Sequence, residues 1–221
     1  MLSAVIFDFD GIIVDSERLH WAAFNKVLEP LGKIISWPDY VQTYIGFDDR
    51  DAFRHAFPMV GKSELSGLIE KKAAAFQELL ESDGAAALPG AVELIKHLSG
   101  NIPLAICSGA LREDILPILG KLGIENAFDT IVTADDTHIS KPDPAPYSKA
   151  WKNLTEKFQT LENVSSGLAI EDTPAGIASA KGAGLKVLSV TNSYPAEALI
   201  QADAVVDSLE GLTLTKLNEL M

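Results

Sequence analysis

The sequence predicts an α/β fold: a helix-covered parallel sheet with an all-helical domain inserted after its first strand. Three observations predict it. Short apolar runs of strand length recur along the chain. Helical spacing separates most of them, which implies parallel pairing. Between about Ser16 and about Ala86 no convincing strand occurs, and the apolar residues fall at helical spacing instead.

The first run, Ala4–Phe7, reads as a buried strand and ends in Asp8-Phe9-Asp10-Gly11. Leu19, Ala22, Ala23 and Val27 then share one helical face, and Leu65, Leu68, Ile69, Lys72, Phe76 and Leu79 share another. The insertion leaves through Gly84–Gly90, which carries linker punctuation. Ala91, Leu94, Ile95 and Leu98 form a helix stopped by Gly100, followed by a strand over Ile102–Cys107. Leu111, Ile115, Ile118, Leu119 and Leu122 form the next helix, stopped by Gly123, and Thr130–Thr133 the next strand. A stripe of Tyr147, Trp151, Leu154 and Phe158 precedes strands at Leu168–Ile170 and Val187–Val190. Ala204–Val206 and a last helix close the chain. The expected division is a core of residues 1–15 and 87–221, with a helical cap over 16–86.

The 221 residues are 47% hydrophobic and 22% charged, enough for one good core plus a smaller domain. A net charge of −13 argues against a nucleic-acid surface and a polybasic membrane anchor. The apolar runs are too short to span a bilayer. No secretory signal is read, and Cys107, the single cysteine, rules out an internal disulfide. The expectation is a cytoplasmic monomer with no membrane or nucleic-acid partner.

Ligands of parallel α/β sheets bind beyond the carboxyl ends of the strands. Four strands end in informative residues: Asp8 and Asp10; Ser108-Gly109-Ala110; a polar loop reaching Lys141-Pro142-Asp143-Pro144; and Glu171-Asp172-Thr173-Pro174. Carboxylates this close repel and call for a hard divalent cation, for which oxygen-only ligation suits Mg²⁺. Ser108 and the amides of Gly109 and Ala110, expected at a helix N-terminus, suit an anion. Lys141 adds a point charge. Together these form a phosphoryl-transfer site in which one aspartate can attack phosphorus.

These motifs resemble the haloacid dehalogenase (HAD) superfamily, matched in order by Asp8-Phe9-Asp10-Gly11, Ser108, Lys141 and Glu171-Asp172. The stretch Glu171–Ala180 is similar to the branch containing β-phosphoglucomutase and the sugar-phosphate and phosphoglycolate phosphatases. The resemblance implies a Rossmann-like core with an inserted cap. It implies Asp8 as nucleophile forming an aspartyl-phosphate, Asp10 as general acid then base, and Ser108 and Lys141 as holders of the phosphoryl group. Mg²⁺ would be held by Asp8, the Asp10 carbonyl and Asp172, with Glu171 close by or ligating through water. Asp10 separates the chain from the dehalogenase and phosphonatase branches, where this second aspartate is typically absent.

The resemblance also marks cap residues for the substrate. His20 either faces the site or sits on the cap surface. Lys72 either reaches the substrate or is a solvated or snorkelling helix residue. Tyr44–Arg50 matches the substrate-reading loop, but Asp49 stands where β-phosphoglucomutase has arginine, and Arg50 is displaced by one. Its core lysine aligns with Leu111, with Arg112 next. A mutase binds two phosphates alternately, so these departures favour a phosphatase acting on a small phosphorylated metabolite, such as a sugar or polyol phosphate. A mutase and a regulatory protein retaining the fold are the alternatives.

Overall fold

The computed structural model describes residues 1–221. The chain runs β1 (Ala4–Phe7), β2 (Val14–Asp15), α1 (Glu17–Leu28), α2 (Trp37–Thr43), α3 (Asp49–Ala56), α4 (Lys62–Ser82) and β3 (Ala86–Ala87). It continues α5 (Ala91–Leu98), β4 (Leu104–Cys107), α6 (Arg112–Leu122), β5 (Thr130–Val132), α7 (Ala145–Lys157) and β6 (Gly167–Glu171). It ends α8 (Pro174–Gly182), β7 (Lys186–Val190), β8 (Ala204–Val206) and α9 (Leu214–Leu220).

Six strands form one parallel sheet in the order β5-β4-β1-β6-β7-β8. From β1 the chain builds outward through β4 and β5 on one side, then through β6, β7 and β8 on the other. The strand order therefore reverses between β1 and β6, and a crevice opens there beyond their carboxyl ends. Ile6 pairs with Ala169 and Phe7 with Ile170, so Asp8 and Glu171 leave the sheet side by side.

Alternation along the strands makes two cores. Val5, Phe7, Leu104, Ile106, Leu168 and Ile170 face one way, against Leu94 and Ile95 of α5 and Ile115, Ile118 and Leu119 of α6. Ala4, Ile6, Ala105, Cys107 and Ala169 face the other, against Tyr147, Ala150 and Leu154 of α7 and Ile177 and Ala180 of α8. The small residues on this second face let α7 and α8 approach closely.

Helices α1–α4 lie between β2 and β3. Phe24, Leu28, Tyr40, Tyr44, Phe53, Leu65 and Leu68 form a core of their own. The opposite faces of α1 and α4 (Leu19, Ala23, Ala75, Phe76 and Leu80) join the sheet's first core. The reading of Gly84–Gly90 as a plain linker needs correction: Ala86 and Ala87 pair antiparallel with Asp15 and Val14, so entry and exit form a two-stranded ribbon. Two residues are too few for alternation to show in sequence. No helix is long and apolar enough to cross a membrane.

Candidate active site

Asp8 sits at the end of β1, 8% exposed, with its amide bonded to the Ile170 carbonyl at 2.9 Å. Its Oδ1 accepts the Phe9 amide at 2.8 Å and lies 3.0 Å from Lys141 Nζ. Lys141 also donates to Glu171 Oε1 at 2.6 Å, where the Tyr147 hydroxyl donates at 2.7 Å. Glu171 Oε2 takes the Thr173 hydroxyl and the Asp172 amide, both at 3.3 Å. Glu171 is thus wholly buried and fully partnered.

Asp172 is the opposite case. It is 1% exposed, and neither carboxylate oxygen has a hydrogen-bond partner. Burial, then repulsion from Asp8 and Glu171, raises its pKa well above the ordinary value; Ser193 opposes weakly, outside hydrogen-bonding geometry. Asp8 is raised too, by burial and Glu171, because Lys141 serves two carboxylates and offsets them only in part. Burial disfavours the Lys141 ammonium, but Asp8 and Glu171 outweigh it and raise its pKa. Oxygens of Asp8, Glu171 and Asp172 lie within 4.8 Å of one another. One lysine among three buried carboxylates leaves net negative charge, and Asp172 has two unsatisfied oxygens. This donor set fits a hard divalent cation.

Two glycines make room for these carboxylates. A Cβ on Gly11, whose φ is +74°, would lie 2.0 Å from Asp172 Oδ2. A Cβ on Gly176, in the first turn of α8, would lie 2.0 Å from the Glu171 carboxylate carbon. The Thr173 hydroxyl caps α8 by accepting the Gly176 amide at 3.0 Å, as the Thr-Pro signal implies.

Asp10 is held from the cap side. The Ser16 hydroxyl donates to Asp10 Oδ1, and His20 Nε2 lies 3.2 Å from the same oxygen. Lys72 Nζ is 2.7 Å from His20 Nδ1 and 2.9 Å from Asp49 Oδ1. An ammonium only donates, so Nδ1 must accept and Nε2–H must point at Asp10. His20 also stacks on Phe76 at 4.3 Å. Burial alone would raise the Asp10 pKa, but His20, Ser16 and Lys72 outweigh it and lower it. Both donors sit on Oδ1, which leaves Oδ2 without a protein partner for proton transfer.

Ser108, 5% exposed, lines the same cleft as Asp8, Asp10, His20, Lys72 and Lys141. Its Oγ accepts the Ala110 amide at 3.0 Å. Because α6 begins at Arg112, Ser108-Gly109-Ala110 form the turn before the helix and not its first turn, a correction to the placement expected from sequence. Gly109, Ala110 and Arg50 also line the cleft. Arg50 is not free there: it grips Asp48 Oδ2 through Nη2 (2.5 Å) and Nε (2.8 Å), and donates to the Thr137 carbonyl at 3.0 Å. Arg112 does not line the cleft. Its guanidinium bonds Asp136 (2.6 Å) and the Ile131 carbonyl (2.9 Å), since a cation beside a paired acidic loop binds locally.

Sequence reasoning missed several contributors. Tyr147 reads only as a core stripe residue, yet it bonds Glu171. Glu17, Tyr40, Asp48, Asp49 and Ser140 also line the cleft. Glu17 lies one helical turn before His20, a usable signal; Asp48 and Asp49 fall within the substrate-reading loop Tyr44–Arg50, and nothing local marks Tyr40 or Ser140. Cys107 is an inert core residue, its thiol pushed far up by burial.

Comparison with known proteins places the chain in a family. Residues 5–190 match the family model described as haloacid dehalogenase-like hydrolase. The chain is 32% identical to hexitol phosphatase A of Escherichia coli, over 96% of this chain and 93% of that protein. It is 30% identical to validoxylamine A 7'-phosphate phosphatase of Streptomyces hygroscopicus, over 95% of each. Among solved structures, a β-phosphoglucomutase of Clostridium difficile superposes with a TM-score of 0.86 at 26% identity, covering 100% of this chain and 97% of that one.

Proposed function

The chain belongs to the haloacid dehalogenase-like hydrolases and is a phosphomonoester hydrolase of that family, and from this premise we propose that it is a Mg²⁺-dependent phosphatase of a small sugar- or polyol-like phosphate, working through an aspartyl-phosphate on Asp8. The observation that carries this reading is the pairing of a lysine-bound Asp8 with a buried, unpartnered Asp172.

In this reading residues 16–86 act as a cap over the core of residues 1–15 and 87–221, excluding bulk water from the cleft. Lys141 and Ser108, with the Gly109 and Ala110 amides, hold the phosphoryl oxygens. Asp10, ionised in the free protein, takes a proton from the monoanionic phosphate ester as it binds; the Asp8 oxygen not bonded to Lys141 then attacks phosphorus, and the bond to the leaving oxygen breaks as Asp10 Oδ2 passes that proton to it. Asp10 then takes a proton from the water that splits the acyl phosphate, which returns Asp8 and frees inorganic phosphate. His20, Ser16 and Lys72 orient Asp10 for both transfers. Held by Asp8, Asp172 and the Asp10 carbonyl, with Glu171 nearby, Mg²⁺ would neutralise charge between carboxylate and phosphoryl group.

The test is phosphate release from a panel of sugar and polyol phosphates, with Mg²⁺, with chelator, and with Asp8→Asn. Metal-dependent release that falls by about 10⁴-fold or more in the variant is expected, as for loss of a covalent nucleophile. Release unaffected by Asp8→Asn would overturn the reading. Glucose 6-phosphate formed from β-glucose 1-phosphate without phosphate release would identify a mutase instead.

A second expectation concerns Gly11. Alanine there meets both a left-handed backbone and the Asp172 carboxylate. Gly11→Ala should cost about 1–2 kcal/mol of stability. It should also lower metal-dependent turnover by about tenfold or more by displacing Asp172. Urea unfolding and phosphate release measure the two effects; an active variant with parental stability would contradict the account.

A further inference from the structure

The half-partnered Asp114 and the exposed Phe47 and Ile139 show nothing that would occupy them. The cap side of the cleft carries more. Two cap cations line it, Arg50 and Lys72, and each is already held. Asp48 takes Arg50 through two nitrogens, and Asp48 is itself buried and fixed by the Asp51 amide (2.9 Å) and the Ser140 hydroxyl (2.6 Å). Asp49 takes Lys72, which is 3% exposed, at 2.9 Å. A third cap carboxylate, Glu17, lines the cleft with only the Tyr40 hydroxyl on its Oε2, at 3.1 Å. On the core side Lys141 is committed to Asp8 and Glu171, and Arg112 is turned away.

The cap wall therefore presents three carboxylates against two cations, and no cation is left unpaired. Buried like charges repel strongly where water is excluded. Carboxylate oxygens without protein partners, Asp49 Oδ2 and Glu17 Oε1, are good acceptors for hydroxyl hydrogens. Resting on the phosphatase reading above, we propose that Asp49 is a specificity-determining residue: by holding Lys72 it makes the cap wall select monophosphates with an uncharged, hydroxylated far end and reject a second phosphate. Specificity of this kind comes from a repulsive element as much as from new contacts.

Competition against phenyl phosphate hydrolysis tests this with the full chain and Mg²⁺. The two competitors are glucitol 6-phosphate and glucitol 1,6-bisphosphate, which share one carbon skeleton. The bisphosphate is expected to bind at least about tenfold more weakly than the monophosphate. Asp49→Asn, which keeps shape but frees Lys72 for an anion, is expected to narrow or invert that ratio by about tenfold, and Asp49→Glu to restore it. A purely structural role would move both inhibition constants together. Equal binding of the two competitors to the parent overturns the proposal without needing any variant, as does an unchanged ratio in Asp49→Asn. Failure of the parent to hydrolyse phenyl phosphate or any panel member would instead fall on the phosphatase reading, and take this inference with it.

Discussion

Asp172→Asn should make the metal-free protein more stable while abolishing turnover. The Asp172 carboxylate is buried, lacks any hydrogen bond and faces two other carboxylates. Its folded-state pKa is raised, so the folded state binds more protons than the unfolded one as pH climbs past the ordinary carboxylate range. Stability of the metal-free protein therefore falls with rising pH through this group, and the penalty is complete above the folded pKa. Asparagine removes the charge at nearly constant volume. A gain of about 1–3 kcal/mol at neutral pH is expected, shrinking toward acid where Asp172 is protonated anyway. For a chain of this size that is roughly 3–10 °C in Tm. Mg²⁺ should stabilise the parent, more so at higher pH, and leave the variant nearly unmoved. Thermal melts with chelator and with Mg²⁺ across pH measure all three effects. A variant less stable than the metal-free parent would mean that Asp172 is not an uncompensated charge.

Lys141→Met should do the reverse and destabilise the fold. Lys141 is the one cation on Asp8 and Glu171, and it is almost wholly buried. Removing it leaves two buried carboxylates facing each other, a change that costs about 3–5 kcal/mol in comparable pairs. The Lys141 pKa is raised in the folded state, so its contribution is fully present at neutral pH and is lost only as pH rises through that raised value. The deficit of the variant should shrink at low pH, where Asp8, already raised, takes up a proton. Urea midpoints at neutral and acid pH give the difference, and phosphate release should fall with it. Parental stability in the methionine variant would refute the charge balance described for the site.

Much of this arrangement was readable in the chain. Strands Ala4–Phe7 and Ala204–Val206 have the boundaries that their apolar runs imply, and the sheet order places the loops after β1, β4, β5 and β6 on one rim. Loops of this kind carry fixed turn chemistry, so Thr173-Pro174 and Asp8–Gly11 could be read locally. The cap was harder. Helices α2 and α3 span two turns each, too short for a 3.6-residue period to emerge. Their starts were nonetheless marked by Ser36 and Asp48, whose side chains accept the Asp39 and Asp51 amides. Arg50, expected in a loop, stands in the first turn of α3, where the cap residue Asp48 is within its reach. The Asp49–Lys72 pair joins two helices across the cap and leaves no local trace. Nor does Tyr147, whose ring belongs to a packing stripe and whose hydroxyl alone belongs to the site.

The most direct measurement is acid quenching during turnover of a phosphorylated substrate with Mg²⁺, followed by peptide mass spectrometry. One phosphoryl group on the peptide containing Asp8, absent with chelator and absent in Asp8→Asn, is the predicted result. Steady release of phosphate with no trappable phosphoryl group on Asp8, or with the group on another residue, would contradict the account.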